Sequence, residues 1–144
     1  MIKNLYNGGM KTTIEEFEKA EVVIPGLFQF AAEAKFMQAA LAATKEGLII
    51  YNDHAPDEKK GDELIYHPKM HVPMDNILLV LNDKLIENTD LGGLGRLGII
   101  QKNDIDSFYF YYFKEDKKRV KRFCKFMKGF KIKTKNREVD INAE

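Results

Sequence analysis

Three histidines and two aspartates are the side chains best suited to hold a metal ion. His67 and His71 lie four residues apart, with His54, Asp53 and Asp62 upstream, and zinc sites use donors of this kind. This spacing suits one face of a helix, but the proline between the two histidines argues against a helix there. In a strand, residues four apart stand roughly 13 Å from each other, too far for one ion. The sequence therefore predicts a solvated strand edge and no metal.

The segment from Gly93 to Gly98 matches the G-x-G-x-x-G pattern of dinucleotide-binding proteins. That chemistry needs a strand before the glycines and a helix N-terminus after them, where the pyrophosphate binds. Here residues 98–101 are apolar enough for a strand and are followed by a turn. We therefore predict a glycine-rich loop at residues 92–98 and no nucleotide cofactor.

The chain offers little for nucleophilic catalysis. Ser107 is the only serine, and Cys124 is the only cysteine, so no internal disulfide or thiolate zinc site can form. Cys124 falls on an apolar helix stripe, which favours a buried hydrophobe over a reactive thiol. No pair of carboxylates suggests acid and base catalysis. We therefore predict a protein that is not an enzyme and needs no cofactor.

A basic segment near the C-terminal end is the strongest candidate for a binding surface. Residues 117–137 contain eleven Lys and Arg and no acid, whereas the rest of the chain has 12 basic and 22 acidic residues. On the predicted helix, one side carries the cations Lys117, Lys118, Lys121, Arg122, Lys125 and Lys128. This surface could bind anionic lipid, or nucleic acid with Tyr109 or Tyr111 stacking on bases. It could also contact a protein, or be the solvated side of a docked helix.

The elements that position this surface are an aromatic strand and an amphipathic helix. Phe108 to Phe113 is aromatic at every position, so both faces of that strand should be covered. After it, an apolar stripe at helical spacing comprises Val120, Phe123, Cys124, Met127 and Phe130. Asp116 can act as N-cap or first-turn acid and Gly129 can end the helix. The spacing predicts a helix whose apolar side plugs a β structure.

The remaining sequence predicts strands joined by short turns. Residues 39–53 form the clearest hairpin signal, with the turn at Thr44 to Gly47. Residues 53–63 are polar and predict an exposed loop. A strand at 77–81 is broken by Asn82, Asp83 and Lys84 before a second piece at 85–86. The total is about seven strands.

Length and hydropathy bound the organisation of the chain. A chain of 144 residues fits one domain, which we place at 21–131. It follows a leader with a short helix at 1–20 and precedes a tail at 132–144 that frays at its end. The sequence contains no apolar run of about 18 residues, which a membrane span requires, and its first residues do not resemble a signal peptide. We expect a cytoplasmic protein.

The order of these parts resembles the bacterial pleckstrin-homology-like domains, close to the GRAM-type branch. The residues that carry the resemblance are 39–52, Val72 to Ile77 and Phe108 to Met127. It implies a mainly β protein of the α+β class, a bent seven-stranded antiparallel barrel capped by the amphipathic helix. Eukaryotic members that bind phosphoinositides carry a lysine followed by an Arg-x-Arg pair, where residues 31–43 offer only Lys35. The missing Arg-x-Arg pair argues against a phosphoinositide site. Many bacterial relatives assemble into oligomers, so the resemblance implies self-association.

Together these features predict a binding or scaffolding module without enzymatic activity. We expect it to act through protein contact or self-association. The alternative is a peripheral binder of anionic lipid or nucleic acid that uses the cations of the basic helix.

Overall fold

The computed structural model describes residues 11–12, 19–30, 35–51, 58–61, 63–65, 68–86 and 94–140. Its elements in chain order are β1 (Lys11–Thr12), β2 (Val22–Phe30), β3 (Met37–Thr44), β4 (Gly47–Tyr51), β5 (Glu58–Lys60), β6 (Glu63–Ile65), β7 (Pro68–Pro73), β8 (Ile77–Leu85), β9 (Leu94–Gln101), β10 (Phe108–Phe113), α1 (Lys117–Gly129) and β11 (Lys133–Val139). Three short 3₁₀ turns lie at Met74–Asn76, Asp104–Asp106 and Lys114–Asp116. The short helix predicted before residue 20 lies almost wholly outside the described residues.

One large mixed sheet dominates the fold. Its eight strands run in the order β11-β8-β9-β10-β2-β3-β4-β7, and a small second sheet has the order β1-β6-β5. In the large sheet all neighbours are antiparallel except β11, which runs parallel to β8. Within the described residues β11 and β7 each have one neighbour, so the sheet is open. The predicted seven-stranded antiparallel barrel is therefore wrong.

The large sheet has one strand more than predicted, β11, and this strand is part of the reason why the barrel prediction is wrong. Residues 133–139 pair one by one with residues 79–85 of β8, although the end of the chain was expected to fray. A parallel neighbour needs a long crossover, and α1 belongs to the segment that returns the chain to β8. The alternation of charged and polar residues after the helix suits an edge strand, which proteins protect with charge. The predicted domain boundaries at residues 20 and 131 stay predictions, although β11 pairs inside the larger sheet.

The helix α1 covers one face of the sheet, as its stripe predicts. Val120, Phe123, Cys124 and Met127 are buried and join the core, where α1 lies against β2 and β11. Phe130 was expected to complete the stripe, but it is 39% exposed. The helix ends at Gly129 and Lys131 takes the left-handed conformation with φ of 64°. This reversal leaves Phe130 outside the core and returns Ile132 to it.

The hairpin of β3 and β4 is confirmed. Thr44 pairs with Gly47, and the Thr44 hydroxyl donates to the Gly47 carbonyl at 3.1 Å. Gly47 has a φ of 151°, and a Cβ there would collide with the Val72 carbonyl of β7. The turn thus needs glycine for both its conformation and its close packing.

Two other stretches form strands although they contain residues that disfavour strands. β2 continues through Pro25, because its pairing with β10 stops at Gly26 and the proline is not required to donate on that side. The polar loop expected at residues 53–63 contains β5 and the first residue of β6, which pair antiparallel. In both places long-range pairing overrides local propensity.

Candidate anion-binding cleft

A cleft of about 840 Å³ opens between the N-terminal half of α1 and the adjacent parts of β8, β9 and β11. We call it the basic cleft. Four lysines line it, Lys84 from β8, Lys114 before the helix, and Lys117 and Lys121 one helical turn apart. All four side chains are exposed. Among the described residues, Glu138 of β11 is the one acid that lines it, so the described lining has an excess of positive charge.

The cations gather at the end of the helix that least favours them. The first turn of α1 contains Lys117, Lys118 and Arg119 and no acid. Asp116 stands at the N-cap position but its side chain makes no cap hydrogen bond; it lies 3.5 Å from the Arg119 guanidinium instead. Cations near a helix N-terminus typically cost about 0.3–1 kcal/mol. The helix therefore tolerates a destabilising arrangement where the cleft begins.

A chain of three polar side chains forms the neutral part of the cleft lining. The Tyr112 hydroxyl donates to Asn82 Oδ1 at 2.8 Å, and Asn82 Nδ2 donates to Asn136 Oδ1 at 3.2 Å. Burial, with smaller contributions from negative charge at Cys124 and Asp83, raises the pKa of Tyr112 to about 12. The hydroxyl therefore keeps its proton at neutral pH and can donate it to Asn82.

Gly95 permits Tyr112 to lie in this position. Gly95 is in β9 opposite Tyr112, and a Cβ built on it would overlap the tyrosine ring. Gly95 and Gly98 are both strand residues, so the loop predicted at 92–98 is wrong from Leu94 onward. Gly93 lies outside the described residues. The glycine pattern thus serves strand packing, with no helix after it to bind a pyrophosphate.

The opposite face of β8 holds a buried charge cluster. The Asp83 side chain is fully buried, and Arg96 is 3% exposed. Arg96 Nε donates to Asp83 Oδ2 at 3.0 Å, while Arg137 Nε donates to Oδ1 at 2.7 Å and Arg137 Nη2 to Oδ2 at 2.9 Å. The hydrogen bond to Asp83 raises the pKa of Arg137 above its ordinary value. This cluster joins β8, β9 and β11.

Tyr109 completes the cluster from β10. The Arg96 guanidinium lies 4.2 Å from the centre of the Tyr109 ring, a cation–π contact. The base-stacking role considered for Tyr109 has to be set against this contact, which already uses one face of the ring. Tyr111, the other stacking candidate, is buried and donates to Gln29 Oε1 at 2.9 Å.

The six cations predicted as a binding surface divide into groups. Lys117 and Lys121 line the basic cleft. Arg122 lies 3.5 Å from Glu21 in an exposed ion pair. The remaining cations are exposed on the helix outside the cleft and are Lys118, Lys125 and Lys128.

Sequence reasoning missed several residues of the cleft. Asn82 and Lys84 were assigned to a break between strands, yet β8 runs through them. The signal that could have found them is period two, since Asn82 and Lys84 fall on one face and Asp83 on the other. Asn136 belonged to the predicted frayed end, and only the pairing of β11 places it beside Asn82.

The candidates for other chemistry are placed as follows. Cys124 is buried, and burial raises the pKa of its thiol to about 11, in keeping with a core hydrophobe. The buried Ser107 hydroxyl accepts a hydrogen bond from the backbone N–H of Gln101 at 3.0 Å. His71 is exposed on the edge strand β7, while His54, His67 and the two aspartates lie outside the described residues. Among the residues that the structure describes, no group of three metal-binding side chains occurs.

No model of a known protein family matches the chain, and no curated protein is similar to it. Within the described segments, no helix is long and apolar enough to cross a membrane.

Proposed function

We propose that this protein is a binding module without enzymatic activity and that it holds an anionic ligand in the basic cleft. The observation that supports this most is the convergence of four lysines on one concave site, against a single glutamate in the part of the chain that the structure describes. Clefts lined by one sign of charge focus the electric field and concentrate ions of the opposite sign. An anion bound there would neutralise cations that the helix terminus disfavours.

The contrast with the rest of the helix favours the cleft over the whole basic surface. Lys118, Lys125 and Lys128 are exposed but do not line a concave site among the described residues. Isolated exposed charges interact weakly, with about 1 kcal/mol between unit charges 4 Å apart in water. In the cleft the same charges act together, beside the Tyr112 and Asn136 side chains. Lys117 and Lys121 are therefore expected to contribute more to binding than Lys118 and Lys125.

The test compares two variants that lose the same charge from the same helix. Lys117→Gln with Lys121→Gln alters the cleft, and Lys118→Gln with Lys125→Gln is the matched control. Sulfate, citrate and inorganic phosphate are titrated at low ionic strength, where screening is weak, and backbone amide shifts are followed by NMR. We expect shifts centred on Gly95, Lys117 and Asn136 that the first variant loses and the control keeps. Small shifts spread evenly over the lysines of both variants would contradict the proposal.

A second candidate function is protein contact or self-association, and an exposed apolar patch supports it. Leu78 is 51% exposed and lies with Phe130 at a shallow depression beside the end of α1. The Phe130 ring stacks edge-on against Phe126 with centroids 5.1 Å apart. Exposed apolar clusters rimmed by polar residues often mark interaction sites. Lys45 and Lys102 form part of such a rim.

Light scattering at rising protein concentration tests this second candidate. If the patch mediates self-association, the wild-type mass should rise with concentration, and Leu78→Ser should keep it at that of one chain. A mass of one chain throughout would remove self-association and leave contact with a different protein as the remaining form of this candidate.

Membership of the bacterial pleckstrin-homology-like group and a cytoplasmic location stay predictions from the sequence.

A further inference from the structure

We infer that the ligand of the basic cleft is a phosphate monoester carried on a small, partly apolar organic body. This inference rests on the proposed anion-binding function and names the class of anion. Three properties of the cleft lead to it: the hydrogen-bond donors of its lining, the number of its cations, and its size and apolar wall.

The lining of the cleft offers a ligand more hydrogen-bond donors than acceptors. Tyr112 gives its single hydrogen to Asn82, and Asn82 Nδ2 in turn donates to the carbonyl oxygen of Asn136. The Asn136 oxygen accepts this hydrogen bond and keeps a second lone pair, while its amide N–H groups remain as donors at that end of the chain. The four lysines are donors without acceptor capacity. A ligand group rich in acceptor oxygens therefore matches most of this lining, in which Glu138 is the one carboxylate among the described residues.

The number of cations favours phosphate over carboxylate. Arginine binds both groups through its planar fork, whereas each lysine acts as a point charge with three donors. Arg137 also lines the cleft, but its Nε and Nη2 donate to Asp83. Arg96 donates to the same carboxylate. A phosphate monoester has three terminal oxygens and a charge of about −1.5 to −2 at neutral pH. It therefore uses several lysines at once, where a carboxylate has one charge to offer.

The cleft is also larger and more apolar than a phosphate ion requires. Leu85, Leu94 and Val120 line it beside the cations. Its volume of about 840 Å³ lies within the roughly 300–1,000 Å³ of sites that take small organic molecules. Inorganic phosphate would fill only part of this volume, so the phosphate is expected to carry an organic body.

Calorimetry with four matched probes tests the class. Phenyl phosphate, phenyl sulfate and benzoate share one ring and differ in the anionic group, and inorganic phosphate lacks the ring. We expect phenyl phosphate to bind the wild-type protein at least about tenfold more tightly than the other three. We expect the affinity to fall between about pH 7.5 and about pH 5.5, because the second phosphate ionisation has a pKa of about 6. Phenyl sulfate keeps its charge over that range and serves as the pH control.

Two variants locate the binding and two membranes identify its source. Lys117→Gln with Lys121→Gln should abolish the preference for phenyl phosphate, and Lys118→Gln with Lys125→Gln should keep it. Vesicles of phosphatidylcholine with about one-fifth phosphatidic acid present a lipid phosphate monoester, and phosphatidylserine vesicles with the same number of lipid charges are the comparison. Sedimentation with the first and not the second would identify a lipid source. Binding of soluble phenyl phosphate alone would identify a soluble metabolite.

The outcomes separate this inference from the function it rests on. If all four anions bind equally and the Lys117 and Lys121 variant loses them, the cleft binds anions but the phosphate class is wrong. If none of the anions binds, the inference and the proposed function both fail. If the Lys118 and Lys125 variant loses binding instead, the site is the outer face of α1, and both fail as well.

Discussion

Two groups of charges lie on opposite faces of β8, and they differ in whether the charges have partners. On one face, Asp83 is fully buried and accepts from both Arg96 and Arg137. On the other face, Lys84 and the lysines of α1 surround an open cleft with one glutamate. Adjacent residues of one strand therefore serve opposite purposes. Charges that satisfy each other hold strands together, and charges left uncompensated are available to a ligand.

Removing the buried carboxylate should have the largest effect. Asp83→Ala removes the buried carboxylate to which Arg96 and Arg137 both donate. Breaking a buried ion pair in this way typically costs about 3–5 kcal/mol, a large share of the stability of a single domain. Urea unfolding followed by circular dichroism measures the loss. Lys84→Ala, the neighbouring residue on the cleft face, is the control and should change the free energy of unfolding by less than about 0.5 kcal/mol.

An unchanged unfolding midpoint for Asp83→Ala would mean that the cluster is not structural. The combined variant Asp83→Leu with Arg96→Met then separates charge from packing. Replacing a buried ion pair by apolar residues of similar size is often neutral, so this variant should be more stable than Asp83→Ala. If both variants are equally unstable, the loss comes from packing and the comparison between the two faces is weakened.

Gly95→Ala tests whether the cleft lining depends on close packing. The added methyl group overlaps the Tyr112 ring, and inserting atoms into a packed site costs about 1–3 kcal/mol. The measurement is urea unfolding, together with the NMR shifts of the Asn82 and Asn136 side-chain amides. Gly129→Ala is the control, because a Cβ there meets nothing within 4 Å. Equal stability of the two variants would contradict the close contact between Gly95 and Tyr112.

Tyr112→Phe removes only the hydroxyl and should have a smaller effect. Losing one hydrogen bond typically costs about 1 kcal/mol at neutral pH. The folded protein holds the pKa of Tyr112 at about 12, above its ordinary value of 10.0. The folded state therefore keeps this proton when the unfolded state has lost it, and stability falls as the pH rises from about 10 to about 12. The difference in unfolding temperature between wild type and Tyr112→Phe should shrink over that window and stay constant between about pH 7 and about pH 9.

The sequence predicts the local patterns of this fold better than it predicts the pairing of distant charges. The apolar stripe of α1 and the hairpin at Thr44 to Gly47 are local patterns, and both are confirmed except at Phe130. Asn82, Asp83 and Lys84 look like a break because three consecutive polar residues rarely occur inside a strand. Their partners are far away in sequence, with Arg137 54 residues from Asp83. A residue pattern alone does not show which distant charge will neutralise a buried one.

The barrel prediction failed for a related reason. Most strands between residues 22 and 113 could be identified from turns and alternation, except β5 and the second half of β8, but whether their sheet closes depends on the pairing of its edges. The edge position of β11 beside β8 follows from the return of the chain after α1, and the sequence of residues 133–139 does not show which strand it will join. Two lysines of the cleft, Lys117 and Lys121, were among the predicted cations. Only the position of β8 and β11 beside the helix shows that these two lysines line the cleft and that Lys118 and Lys125 do not.

The smallest expected change in the free energy of unfolding comes from the cleft lysines. Removing their charges should stabilise the protein, whereas removing the Asp83 charge should destabilise it. Lys117 and Lys121 are near other lysines and at the start of a helix, so their charges should oppose folding slightly. Lys117→Gln with Lys121→Gln should therefore raise the free energy of unfolding by about 0.3–0.5 kcal/mol at low salt. At about 1 M salt the Debye length falls to about 3 Å, and this gain should disappear. In Lys118→Gln with Lys125→Gln, the matched control, Lys118 shares the helix terminus but neither residue lines the cleft, so a smaller gain is expected. A loss of stability in the cleft variant would mean that these lysines have unrecognised structural partners, and the cleft would then belong with the Asp83 cluster as part of the framework.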